Sequence, residues 1–180
     1  VRPRVLRPAL HASTALLLLT LLDSWHLLKL TLIAAGAAAL VVETARLSSP
    51  AVAGGLCRLV PVFRDAEARR PSGAGWLFVA YALAAWLPPP APAAGLLVGA
   101  LADPAAALVG GRWGAGVAKS WPGTAAALIV GTGALLAWGL PAPAALAGGV
   151  VGAALERWPG PFDDNLLIAP AVGLVAWLLL

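Results

Sequence analysis

Asp103 stands inside an apolar run at 93–110, about 10 Å from its charged end at 1.5 Å per residue. A carboxylate in such a run is costly, which makes it a candidate for function. Pro104 follows it directly, a pattern that suits an Asp N-cap with Pro at the first helical position. The expectation is that the run breaks and restarts there, with free amides aimed at the site. The plainer alternative is a Pro kink with Asp103 satisfied by a nearby Arg.

Residues 110–124 form a glycine-rich stretch with two cations and two hydroxyls: Gly110, Gly111, Arg112, Gly114, Lys119, Ser120, Gly123 and Thr124. Glycines let backbone amides approach phosphate oxygens, Arg112 and Lys119 neutralise charge, and a following helix start adds its dipole. The Walker A spacing is absent, and a simple turn fits the same residues. Further on, Glu156 and Arg157 precede Asp163, Asp164 and Asn165, three consecutive oxygen-bearing side chains at the start of an apolar run. With Asp103 they can supply a magnesium site, while a polar helix cap is the alternative.

Glu43 and Arg46, three apart on a helix, form an ion pair or clamp a ligand. Arg7 and His11, four apart, share a face, where His11 can donate to phosphate or take a proton. Arg64, Glu67, Arg69 and Arg70 precede another apolar run and can touch anionic head groups or substrate phosphate.

The elements that must position these groups follow from composition. Of 180 residues, 61% are hydrophobic and 11% charged, and mean hydropathy is +0.88. A water-soluble domain of this size cannot cover so much apolar surface. The runs do not alternate as barrel strands would. They predict an all-α, polytopic integral membrane bundle of about six to seven transmembrane helices, one membrane domain over 1–180. The expected spans are 10–26, 28–46, 74–88, 93–110, 123–140, 142–157 and 166–180. Asp23, Ser24, Trp25 and His26 make a tight hairpin between the first two, and the Pro-rich stretches 88–92 and 141–143 form short turns.

With the N-terminus inside, eleven of the twelve Lys and Arg residues fall on the inner face and only Lys29 falls outside. The polar motifs then share the cytoplasmic face of the cell membrane. Cys57 is the single cysteine, which excludes an internal disulfide framework and a Cys-based metal cluster. The cations lie between apolar runs and form no basic stripe, so nucleic acid is not an expected partner. Arg2, Arg4 and Arg7 ahead of 15–22 also fit a secretory signal. The basic segment is instead read as the true N-terminus, with Val1 an alternative start.

Taken in order, these blocks resemble the membrane family of CTP-dependent lipid-alcohol kinases, which includes dolichol kinase, phytol kinase and CTP-dependent diacylglycerol kinase. The resemblance spans nearly the whole chain. It rests on Arg7 with His11, Glu43 with Arg46, Arg64 to Glu67, and the stretch from Ala102-Asp103-Pro104 to Gly110-Gly111-Arg112-Trp113-Gly114. It continues through Lys119-Ser120 and Gly123-Thr124 to Glu156 and Asp164-Asn165. The chain departs from the family pattern at Pro8, at Ala102 and at Trp121-Pro122.

The resemblance implies transfer of the γ-phosphoryl group of CTP to an isoprenoid or other lipid alcohol. Asp103, Asp164 and Lys119 would be catalytic. Arg7, His11, Glu43, Arg46, Gly110, Gly111, Arg112, Gly114, Lys119, Ser120, Gly123, Thr124, Glu156 and Asn165 would contact the nucleotide. Asp103, Asp163, Asp164 and Asn165 would hold Mg²⁺. Two other readings stand beside it. Phosphatidate cytidylyltransferase is related, but its Pro-Gly-His-Gly-Gly run is missing here. A small transporter using Asp103 for ion coupling would need polar groups from both faces and internal symmetry, and the sequence has neither.

Overall fold

The computed structural model describes residues 3–22, 24–59, 67–116 and 119–180. Among them are eight α-helices and no strand: α1 (Pro3–Ser13), α2 (Trp25–Ser48), α3 (Pro50–Leu59), α4 (Gly73–Ala84), α5 (Ala91–Trp113), α6 (Trp121–Ala137), α7 (Ala142–Arg157) and α8 (Asp164–Leu178). A 3-10 segment, Thr14–Leu22, links α1 to α2. Two helices, α2 and α5, are long and apolar enough to cross a membrane, while α4, α6 and α8 are apolar but shorter.

The expected span at 10–26 is not one helix. Ser13 and Thr14 turn their hydroxyls onto the carbonyls of Leu10 and His11, and Thr20 does the same to Leu17. Such local bonds compete with the α-helical ladder, and the chain tightens to 3-10 geometry instead. Of the hairpin expected next, Asp23 lies outside the described residues, and Ser24 caps α2 by accepting from the Leu27 amide at 3.0 Å. Helix α3 occupies what reads as an inner loop. The later spans match α4 to α8 within a few residues.

Helix α5 is the axis of the bundle. It packs against α1, α4, α6, α7 and α8, and every residue from Ala91 to Ala100 is buried. Small side chains permit this closeness. A methyl group on Gly95 would run into the Ala169 carbonyl of α8, and one on Gly149 would strike Thr132 of α6. Buried Tyr81 of α4 pins the 3-10 segment through its hydroxyl, 2.8 Å from Thr14 Oγ1, and meets Phe78 edge-on.

The expected break at Asp103 does not occur. Helix α5 runs unbroken through Pro104, which lacks the N–H that would bond the Ala100 carbonyl. One residue earlier, the Gly99 carbonyl accepts a bond from His11 Nε2 at 2.9 Å, so a side chain of α1 docks beside the weakened rung.

Neighbouring contacts fix the direction of each helix. Lys29 lies 4.5 Å over the Trp86 ring, Gly75 abuts Glu43, Gly110 abuts Ser120 and Gly73 abuts Asn165. One end of the bundle therefore gathers the last turns of α2, α5 and α7 and the first turns of α4, α6 and α8. All eight tryptophans lie near helix ends. Trp76, Trp113, Trp121 and Trp158 belong to this polar end, and Trp25, Trp86, Trp138 and Trp177 to the opposite one.

Gly95→Ala is expected to cost about 1–3 kcal/mol through backbone overpacking. Gly133→Ala, with open space around it, should leave stability equal or raised. Thermal unfolding followed by circular dichroism in detergent separates the two. Equal melting points would show that α5 and α8 do not meet at Gly95.

Candidate functional site

Four separate stretches of sequence meet at Lys119. It sits just before α6, where Ser120 caps the helix by accepting from the Gly123 amide at 3.3 Å. Its ammonium donates to Glu156 Oε1 of α7 at 2.8 Å and to Asp164 at the start of α8. Asp103 of α5 completes the group, and one carboxylate oxygen from each of Asp103, Glu156 and Asp164 lies within 4.8 Å of the others. On its far side Asp103 faces His11, Nδ1 to Oδ2 at 3.2 Å. Because a carbonyl only accepts, His11 Nε2 carries the hydrogen given to Gly99.

Three carboxylates thus converge, with the Lys119 ammonium on Glu156 and Asp164 and the His11 imidazole on Asp103. Burial would lower the Lys119 ammonium, but the carboxylates of Asp164 and Glu156 outweigh it and hold the group above the ordinary lysine value. Asp164, ahead of the apolar run that begins at Leu166, is raised above the usual carboxylate range by burial and then by Asp103, against the pull of Lys119.

The carboxylates that converge are Asp103, Glu156 and Asp164, while Asp163 and Asn165 lie at the start of α8. Asp163 caps α8, its Oδ1 accepting from the Asn165 backbone amide at 3.1 Å, while the Asn165 side-chain amide donates to Asp163 and Asp164 at 2.8 and 3.1 Å. Both residues serve the helix start. Glu156, expected at the nucleotide, takes the place among the carboxylates. The same helix start leaves the Asn165 Oδ1 acceptor buried without a hydrogen-bond partner among the described residues.

A second polar group stands beside the first. Arg7 pairs with Glu67 at 2.9 and 3.2 Å, and Glu67 Oε1 also accepts from the Gly73 amide at 3.1 Å. Glu43 pairs with Arg46 and takes the Ser72 hydroxyl and amide, while Arg46 donates to the Glu67 and Arg70 carbonyls at 2.8 and 2.7 Å. Glu43 and Arg46 are 8% and 4% exposed, so these bonds fasten the start of α4 to α2. Of the basic cluster expected before α4, Arg64 lies outside the described residues, and Arg69 and Arg70 are exposed.

The glycine-rich stretch is also put to another use. Gly110 and Gly111 belong to the last turns of α5, and Arg112 is exposed beside them. A methyl on Gly110 or Gly114 would strike the Ser120 hydroxyl, and one on Gly123 the Ala106 carbonyl at 2.9 Å. These three glycines bring α5 and α6 together around Ser120. Thr124 donates to the Ser120 carbonyl at 3.2 Å. Only Gly111 and Gly116 leave open space.

Comparison with protein-family models, with curated proteins and with solved structures finds no match for this chain. The chemistry therefore rests on the geometry of the polar end.

Removing the ammonium with Lys119→Met leaves the three carboxylates facing one another. Asp164, already raised by burial and by Asp103, loses the opposing pull of Lys119, so the variant loses stability above the ordinary carboxylate range and regains it on acidification. The expected drop in melting temperature is roughly 5 °C at neutral pH, shrinking toward pH 5. In the wild type the raised Lys119 contributes stability that is full below the ordinary lysine range and fades only as pH climbs through its folded value. A pH series of melting curves checks both; an offset independent of pH would place the carboxylates apart.

Proposed function

We propose that this chain is a polytopic integral membrane enzyme that transfers the γ-phosphoryl group of CTP to the hydroxyl of a lipid alcohol. The observation that carries the proposal is the meeting of Asp103, Lys119, Glu156 and Asp164, drawn from four segments, at one end of an apolar bundle. The membrane part draws on α2 and α5, on exposed apolar side chains such as Leu30, Leu40, Val41 and Ile129, and on tryptophans at both ends. Indoles favour the two membrane–water interfaces, and the cations favour the cytoplasmic side. The polar end, with Arg46, Arg69, Arg70, Arg112, Lys119 and Arg157, then faces the cytoplasm of the cell membrane.

The resemblance implies Mg²⁺ along with CTP. Three convergent carboxylate oxygens suit a hard divalent cation, so Asp103, Glu156 and Asp164 would hold it. Bound there, it would offset the charge of the nucleotide phosphates.

The chain's own groups divide the remaining work. Lys119 stands at the edge of the acidic group, where its ammonium can turn to γ-phosphoryl oxygens, and exposed Arg112 adds a second cation. Asp103, steadied by His11, orients the lipid hydroxyl and takes its proton. The oxygen of that hydroxyl forms the new bond to the γ-phosphorus as the bond to the β-phosphate oxygen breaks. CDP leaves, and the product is a lipid monophosphate. The apolar flanks of the bundle accommodate the lipid tail in this scheme.

Protein in mixed micelles, given CTP labelled at the γ-phosphate or in the base, distinguishes the chemistries. The expected result is γ-label in a lipid monophosphate, with CDP released. Base label entering lipid from phosphatidate would instead establish cytidylyl transfer. Asp103→Asn and Glu156→Gln should each lower the rate about 10²-fold or more. Full activity in both variants would sink the assignment.

Mg²⁺ should also raise the melting temperature of the wild type by mass action. It should do so much less for Glu156→Gln, a readout that needs no turnover.

A further inference from the structure

A pocket of about 260 Å³ is lined by Trp113, Gly114, Lys119, Ser120, Trp121 and Arg157 among others. The reaction proposed above leaves Arg157 without a role. Its guanidinium is set firmly in place: Nη1 donates to the Lys119 carbonyl at 2.9 Å, and the plane lies 4.0 Å from the Trp121 ring centre and 5.3 Å from that of Trp158. The two indoles meet edge-on at 5.8 Å. No carboxylate among the described residues pairs with Arg157, since neighbouring Glu156 is engaged by Lys119. A fixed guanidinium lacking a carboxylate at a pocket wall can take an anion there.

We propose that this pocket binds the phosphate of an anionic phospholipid headgroup. The inference rests on the membrane reading above and goes beyond the phosphoryl-transfer site. Trp113, Trp121 and Trp158 are 66%, 65% and 60% exposed, and all lie at the polar end, where indoles at a membrane interface share the depth of lipid headgroups. The pocket rim is therefore at the level of phosphodiester groups, where a headgroup can enter with its acyl chains left in the bilayer. Trp121 and Pro122, where the chain departs from the family pattern, supply one wall.

The test places the purified full chain in nanodiscs of phosphatidylcholine alone or mixed with phosphatidylglycerol. Lipid retained on release from the discs is counted by native mass spectrometry for wild type, Arg157→Gln and Arg157→Lys. The wild type is expected to retain phosphatidylglycerol over phosphatidylcholine by roughly fivefold, about the worth of one cation at an anionic interface. Arg157→Gln should lose that preference and Arg157→Lys should keep part of it. The wild-type preference is read without any variant, so a misfolded Arg157→Gln leaves the test intact.

Equal retention of the two lipids by the wild type overturns the proposal, as does an unchanged preference in a folded Arg157→Gln. Displacement of phosphatidylglycerol by CTP, abolished with Arg157, reassigns the pocket to the nucleotide and also overturns it. A chain that does not enter the discs at all refutes the membrane reading, and the headgroup site with it. Micellar kinase activity without lipid preference refutes the headgroup site alone.

Discussion

The polar end of the bundle depends on one ammonium among carboxylates. Lys119 joins α7 and α8 by bonding Glu156 and Asp164, and its own backbone carbonyl holds Arg157. Without that charge, Asp103, Glu156 and Asp164 would repel across a few ångströms of partly buried space, where screening is weak. The end of α7 and the start of α8 converge because Lys119 bonds both, and Asp103 of α5 lies beside them. The convergence of these three carboxylates is electrostatically expensive, and the bonds of Lys119 to Glu156 and Asp164 offset part of that cost.

Small residues make the convergence possible from below. Asp103 meets its partners only because α5 is surrounded closely by five helices, and Gly95, Gly110, Gly123 and Gly149 remove the side chains that would keep them apart. The glycines near Lys119 look, by spacing, like a phosphate-wrapping loop. In three dimensions Gly110, Gly114 and Gly123 are spent mainly on bringing α5 and α6 together around Ser120. The cations, not the loop amides, are the groups there that remain directed at chemistry.

Much of this was legible in the residues. Apolar runs bounded by Pro and charged groups located α2 and α4 to α8, and α7 has the expected limits of 142 and 157. Hydropathy does not register the hydroxyls of Ser13, Thr14 and Thr20, whose local bonds divert the first run into a 3-10 segment. Nor does it tell a proline that starts a helix from one that loosens it, which is why α5 continues past Asp103. At the site, Asp103, Lys119 and Asp164 come together as their types suggested. Glu156 joins Asp103 and Asp164 in space, a meeting that spacing along the chain does not reveal, while Asp163 accepts from the Asn165 amide at the helix start. The distribution of Trp at both sets of helix ends was a readable signal, available from the positions of eight residues alone.

Helix α1 touches both polar groups at once. Arg7 reaches Glu67 at the start of α4, and four residues later His11 reaches Asp103 and the Gly99 carbonyl of α5. A single turn of helix therefore links the two, and α1 cannot slide or tilt to satisfy one without straining the other. Any event that draws Glu67 toward another cation alters the free energy with which His11 orients Asp103, and by reciprocity a ligand at Asp103 alters the hold of Arg7 on Glu67. The two polar groups at this end are thermodynamically coupled through about 6 Å of backbone.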